Sequence, residues 1–173
     1  MDIKGQAIGI VLENGFRAAE SLKLATHLKP MGFRLIGVGS NERAIGDNHK
    51  FANTRKYSEI NEKGLDGLII LSHETPALLR LQDELMTLIL AINGLGKCIG
   101  SIGNGAASLA AAGISEGRRV TCDPPTVREI MEARGEFIDK PVVVNGNLVT
   151  CKYAQYIQHF VEAIAIIMEP VKS

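Results

Sequence analysis

Short, continuously apolar runs alternate along this chain with stretches whose apolar residues recur at helical spacing. Ala7–Leu12, Leu35–Val38, Gly67–Leu71 and Cys98–Ile102 lack the in-and-out alternation of a half-exposed strand. A strand that is apolar on both faces must be covered on both faces, as in a parallel sheet with helices packed above and below. The intervening segments supply those helices. Arg17–Met31 carries Ala18, Leu22, Ala25 and Leu28 and stops at Gly32. Thr75 and Pro76 open a helix as N-cap and first residue, with Leu78, Leu81, Leu85, Leu88 and Ile92 on one face and Gly94 or Gly96 at its end. Ala106–Ala112 is stopped by Gly113, Thr126 with Glu129 forms a capping-box pattern, and a last helix runs from about Ala154 to Met168, with Ile157, Val161, Ile164 and Ile167 or Met168 on one face. Val120–Cys122 reads as a short strand. Val142–Val144 and Leu148–Thr150 flank Asn145-Gly146-Asn147, which predicts a hairpin closed by a type I′ turn. Residues Gly39–Ser58 are the least periodic and read as a loop with a short edge strand.

This order predicts a single α/β domain over residues 1–173, with a flavodoxin-like, doubly wound, mostly parallel sheet, helices on both faces and a C-terminal β-hairpin. Nineteen basic residues balance nineteen acidic ones, which gives no electrostatic footprint for nucleic acid or an anionic membrane. No stretch approaches the ~20 apolar residues of a membrane span. The first apolar run is too short for a signal-peptide core, and the three cysteines lack metal-ligand spacing. The expectation is a cytoplasmic protein with reduced thiols, no metal and no cofactor.

In such sheets ligands bind beyond the carboxyl ends of the strands. That rule selects the loops Glu13–Glu20, Gly39–Asp47, Ser72–Thr75 and Gly103–Ala106. The last is the most telling. Cys98–Ile102 breaks through Gly103-Asn104-Gly105 into an Ala-rich helix, the geometry that holds one residue in a sharp turn beside a helix N-terminus. The glycines also fit a turn that needs them for steric reasons alone, and the missing third glycine makes a dinucleotide fingerprint weak.

The residues from Ile102 to Thr121, with Ala112-Gly113-Ile114-Ser115-Glu116-Gly117-Arg118-Arg119-Val120-Thr121 at their end, resemble the ThiJ/PfpI (DJ-one) superfamily, where the run reads Ile-Cys-His-Gly, an apolar helix, then Ala-Gly-Leu-Leu-x-Gly-Arg-x-Val-Thr. Pro141–Thr150 is similar to its Val-Val-Val-Asp-Gly-Asn-Leu-Val-Thr segment, Gly15-Phe16-Arg17-Ala18-Ala19-Glu20 to its Gly-Phe-Glu-Asp-x-Glu motif, and Asp66–Leu71 to the strand before its Pro-Gly-Gly turn. The resemblance spans nearly the whole chain. It implies a flavodoxin-like sandwich, a homodimer or larger assembly, and a site made of an elbow cysteine, an acidic residue and backbone N–H groups in an oxyanion hole. Members include peptidases and amidases, glyoxalase or deglycase-type enzymes, chaperones and stress proteins.

Only part of that site carries over. Glu20 matches the acidic residue. Gly103 stands at the position of the cysteine and Asn104 at that of the histidine. Arg17 replaces the first acid of its motif, Ser72-His73-Glu74 replaces the Pro-Gly-Gly turn, and Cys151-Lys152-Tyr153-Ala154 replaces a Ser-Arg-Gly-Pro type loop. The attacking species in this chemistry is a thiolate, so a glycine there removes covalent catalysis. Cys151 is a candidate surrogate thiol or, alternatively, a small buried apolar residue. His73 reads as a base, a ligand contact or a surface loop residue.

Three functions follow. The first is a degenerate site that binds a small anion or carbonyl compound without covalent chemistry, in a pocket formed by Arg17, Glu20, Ser72, His73 and Gly103 to Ala106, in a stress or regulatory role. The second is an active peptidase, amidase or glyoxalase-like enzyme with a displaced nucleophile such as Cys151. The third is a dimeric scaffold.

Overall fold

The computed structural model describes residues 3–170. In chain order its first half comprises β1 (Ala7–Val11), α1 (Ala18–Leu28), β2 (Arg34–Gly39), β3 (Arg43–Ile45), β4 (Phe51–Asn53), β5 (Arg55–Lys56) and β6 (Gly67–Ile70). Then come α2 (Pro76–Arg80), α3 (Asp83–Gly94), β7 (Cys98–Ile102), α4 (Ala106–Ala111), β8 (Arg119–Val120), α5 (Val127–Glu132) and β9 (Glu136–Phe137). The chain closes with β10 (Val142–Asn145), β11 (Leu148–Cys151) and α6 (Ile157–Met168).

The central sheet has seven strands in the order β10-β11-β7-β6-β1-β2-β5. Every neighbouring pair is parallel except the β10–β11 hairpin. The fold is therefore the predicted α/β, mostly parallel sheet with helices on both faces. β1, β6 and β7 are buried along their whole length, as their continuous apolar sequences require. One core packs α1 and α6 against the sheet through Leu24, Leu28, Phe160, Val161 and Ile164. The other packs α3, α4 and α5 on the opposite face through Leu85, Ile89, Leu109 and Ile130. Gly100 sets how closely α6 approaches, because a Cβ there would lie 2.7 Å from the Phe160 ring.

Several local expectations are corrected. The helix predicted from Pro76 is broken at Leu81-Gln82, where Gln82 adopts an extended conformation and starts α3, with Asp83 and Glu84 in its first turn. Acidic residues there complement the N-terminal end of the helix dipole. The break turns Leu78 and Leu81 outward, with Leu81 75% exposed, and buries Leu79 instead. Leu22 is likewise exposed rather than on the buried face of α1. β8 pairs with β9 in a separate two-stranded sheet. Thr75 occupies the N-cap position without a side-chain cap bond, and the Thr126 hydroxyl donates to Asp123 rather than completing a capping box. The hairpin forms as predicted, but Asn145 pairs with Leu148, which leaves Gly146-Asn147 as the central pair. Of the two only Gly146 has positive φ, at 60°, the pattern of a type II′ turn rather than I′. Among the described residues no helix is long and apolar enough to cross a membrane.

Candidate functional site

The carboxyl ends of β1, β6, β7 and β11 meet at one place, and the loops leaving them carry the predicted site residues. β7 ends at Ile102 and the chain turns through Gly103, whose φ is +55°. A residue with a Cβ is strained in that conformation, by about 1–2 kcal/mol. Gly105 is required sterically, since a Cβ would lie 2.1 Å from the carbonyl oxygen of Ile70. Ala106, the first residue of α4, is fully buried in the core. Gly105 and Ala106 therefore form the packed wall of the elbow and offer no side chain to a ligand, contrary to their expected place in the pocket lining.

The space above Gly103 is filled by Ser72. A Cβ at residue 103 would lie only 2.5 Å from Ser72 Oγ. That hydroxyl donates to the carbonyl of Ile102 at 3.0 Å, and the Ser72 N–H donates to Glu20 Oε1, also at 3.0 Å. The next N–H, that of His73, donates to Asn104 Oδ1 at 3.0 Å, while Asn104 Nδ2 donates to the His73 carbonyl at 2.8 Å. The Ser72 N–H and both backbone groups of His73 are thus paired with side chains of the protein itself. Burial raises the pKa of Glu20 above the ordinary carboxylate value, against the lowering pull of its Ser72 bonds and Arg17.

His73 is not a surface loop residue. Its ring is 1% exposed and both nitrogens are occupied. Nε2 accepts the N–H of Glu13 at 3.0 Å, so Nδ1 carries the proton and donates to the carbonyl of Leu71 at 3.0 Å. Burial pushes its pKa down to about 4, which leaves a neutral imidazole at neutral pH. A base or ligand contact needs a free nitrogen, and this ring joins two loops instead.

Cys151 is fully buried, its thiol donates to the carbonyl of Tyr153 at 3.1 Å, and burial pushes its pKa up to about 12. Burial raises Cys98 and Cys122 to about 12 as well. None of the three is a thiolate at neutral pH, the form that nucleophilic chemistry needs. Arg17 does not fill the elbow. Its side chain is 44% exposed and pairs with Asp47 at 3.3 Å. Asp47 also accepts the Ala18 N–H at the start of α1, the bond that most lowers its pKa.

Sequence reasoning missed Glu13, although it selected the loop that contains it. The Glu13 carboxylate is almost fully buried and accepts three bonds, from the Ser40 N–H at 2.6 Å, the Ser40 hydroxyl at 2.7 Å and the Tyr57 hydroxyl at 2.9 Å. The one available signal was an acidic residue directly following a fully apolar strand. Surface cavities of about 370 Å³ lie away from the elbow, one between Tyr57 and α3 and another between Met31 and α6. Among the described residues no cluster of three or more His, Cys, Asp or Glu could hold a metal ion.

The chain belongs to the DJ-1/PfpI family, whose sequence profile matches residues 6–166. It is 29% identical over 145 residues to a protein of Pyrococcus abyssi named as a deglycase, covering 83% of this chain and 87% of that protein. It is 28% identical over 142 residues to deglycase PfpI of Pyrococcus furiosus, covering 81% and 86%. Among solved structures, the ThiJ/PfpI domain protein from Brachyspira murdochii superposes with a TM-score of 0.91 at 20% identity, covering 98% of this chain and 99% of that one. DJ-1 of Schizosaccharomyces pombe superposes with a TM-score of 0.83 at 18% identity, covering 96% and 93%. These two likenesses establish the fold alone.

Proposed function

We propose that this chain is a DJ-1/PfpI family protein that works without covalent catalysis, as a non-covalent binding protein for a small ligand at the β6–β7 elbow, in a stress or regulatory role. The observation that carries this reading is the occupant of the elbow. Where a nucleophilic side chain would stand there is a glycine at φ +55°, and Ser72 Oγ fills the space. The protonated, buried state of all three cysteines supports it, because no displaced thiol takes over. The homodimer or larger assembly and the cytoplasmic location belong to the same proposal. Equilibrium sedimentation tests the first, with a species heavier than 18.6 kDa expected.

The relatives named as deglycases make carbonyl compounds the ligands to try first. The test titrates methylglyoxal, acetate and phosphate against the purified protein while amide NMR shifts are followed, with intact-protein mass measured in parallel. The proposal expects reversible shifts at Ser72, His73 and Asn104 for at least one compound and no change in mass. A stable adduct on Cys151 or Ser72, or no shift at those residues with any of these compounds or with a carboxamide, contradicts it.

A further inference from the structure

His73 presents an unusual recognition edge. Phe16 and His73 form an isolated antiparallel bridge, closed by Arg17 N–H donating to Ser72 O at 3.0 Å and Glu74 N–H donating to Gly15 O at 2.9 Å. In that pattern the paired residues exchange no hydrogen bonds with each other, so the N–H and C=O of His73 face away from Phe16. They form a one-residue strand edge, a donor and an acceptor side by side. Asn104 caps it with both ends of its carboxamide, the oxygen on the N–H and the NH₂ on the carbonyl.

That pairing defines what fits. A primary carboxamide carries an acceptor and a donor on the same side of one carbon, matching the His73 edge. A carboxylate has no proton for the His73 carbonyl. A trans secondary amide points its N–H and C=O in opposite directions and meets only one of the two groups.

The geometry points to a primary-carboxamide site on the His73 edge, held shut by Asn104 as a built-in occupant. The inference rests on the binding reading above and names its ligand class. Asn104 is only partly buried, in the middle of the turn that leads into α4. Rotation of its side chain toward solvent frees both groups without moving the backbone. A tethered occupant competes at high effective concentration, so an outside carboxamide binds the intact protein weakly, and removing the occupant exposes the site.

The test is amide NMR of the full-length protein titrated with acetamide, N-methylacetamide and acetate, for the natural chain and for Asn104→Ala. Asn104→Ala is expected to bind acetamide at least about tenfold more tightly than the natural chain, with the shift centred on the His73 amide. N-Methylacetamide and acetate are expected to produce no comparable shift. If Asn104→Ala does not fold, Asn104→Ser serves, because its short side chain does not span to both His73 groups. The inference is overturned if the folded variant shows no acetamide-dependent shift at His73, binds no tighter than the natural chain, or binds either control as well as acetamide. Failure confined to acetamide leaves the non-covalent reading standing, because that reading falls only when methylglyoxal, acetate and phosphate also leave Ser72, His73 and Asn104 unshifted, or when a stable adduct forms.

Discussion

Introducing a cysteine at Gly103 does not by itself rebuild a reactive site. The new Cβ would sit 2.5 Å from Ser72 Oγ, in a backbone conformation at φ +55°. Together these predict that Gly103→Cys lowers unfolding stability by about 1–3 kcal/mol in urea titrations. Adding Ser72→Gly should recover part of that loss, and a single variant as stable as the natural chain would contradict the packing described. His73 makes a second residue-scale prediction. A histidine whose folded pKa is depressed contributes stability in full above its unfolded value near 6.5 and loses it as pH falls toward about 4. Glu20 has the opposite sign. Its raised folded pKa contributes stability below the unfolded value of 4.5 and loses it as pH rises through the folded value. His73→Phe should therefore lose about 1–3 kcal/mol at pH 7.5, where Glu13 N–H and Leu71 C=O lose their partner, and flatten the melting curve between pH 6.5 and 4. Glu20→Gln keeps an acceptor for the Ser72 N–H without a buried charge, and should melt at the same or a higher temperature at pH 7.5. At this scale the sequence located the loops and named Glu20, Ser72, His73 and Asn104. It could not show that the last three pair with backbone groups of neighbouring loops, because a hydrogen-bond partner across 30 positions leaves no trace in local pattern.

The elements are set by close approaches that only glycine permits. Gly100 lets α6 lie on β7, and Gly105 lets the elbow pass the end of β6. The obstacles differ in kind. Opposite Gly100 is the ring of Phe160, a side chain, whereas opposite Gly105 is the Ile70 carbonyl, part of the sheet itself. Gly100→Ala should cost about 1–3 kcal/mol and be partly rescued by Phe160→Leu, while Gly105→Ala should cost more and find no such rescue. Paired urea titrations check both. Strands were the legible elements, since β1 and β6 coincide with unbroken apolar runs and β7 with a run broken only by Ser101 and stopped by Gly103. The α2–α3 break was not, because Leu81 continues a helical spacing through it. The signal that existed was the acidic pair Asp83-Glu84, which marks a fresh helix start.

Across the whole molecule, one hydrogen-bonded chain ties the elbow to the far edge of the sheet. Tyr57 donates to Glu13, the Glu13 N–H donates to the His73 ring, and the His73 N–H donates to Asn104. It links the segments that leave β1, β5, β6 and β7, so the site is braced by the same contacts that occupy it. This elbow keeps the Glu20 carboxylate, has a glycine where the family carries its cysteine, and pairs its polar groups inward; on the reading proposed above it works without covalent attack. Steady-state consumption of methylglyoxal by the purified natural chain tests that claim most directly. The expected rate is no greater than that of buffer or of an unrelated protein at the same concentration. Sustained turnover that disappears in Glu20→Gln or Cys151→Ala would contradict it.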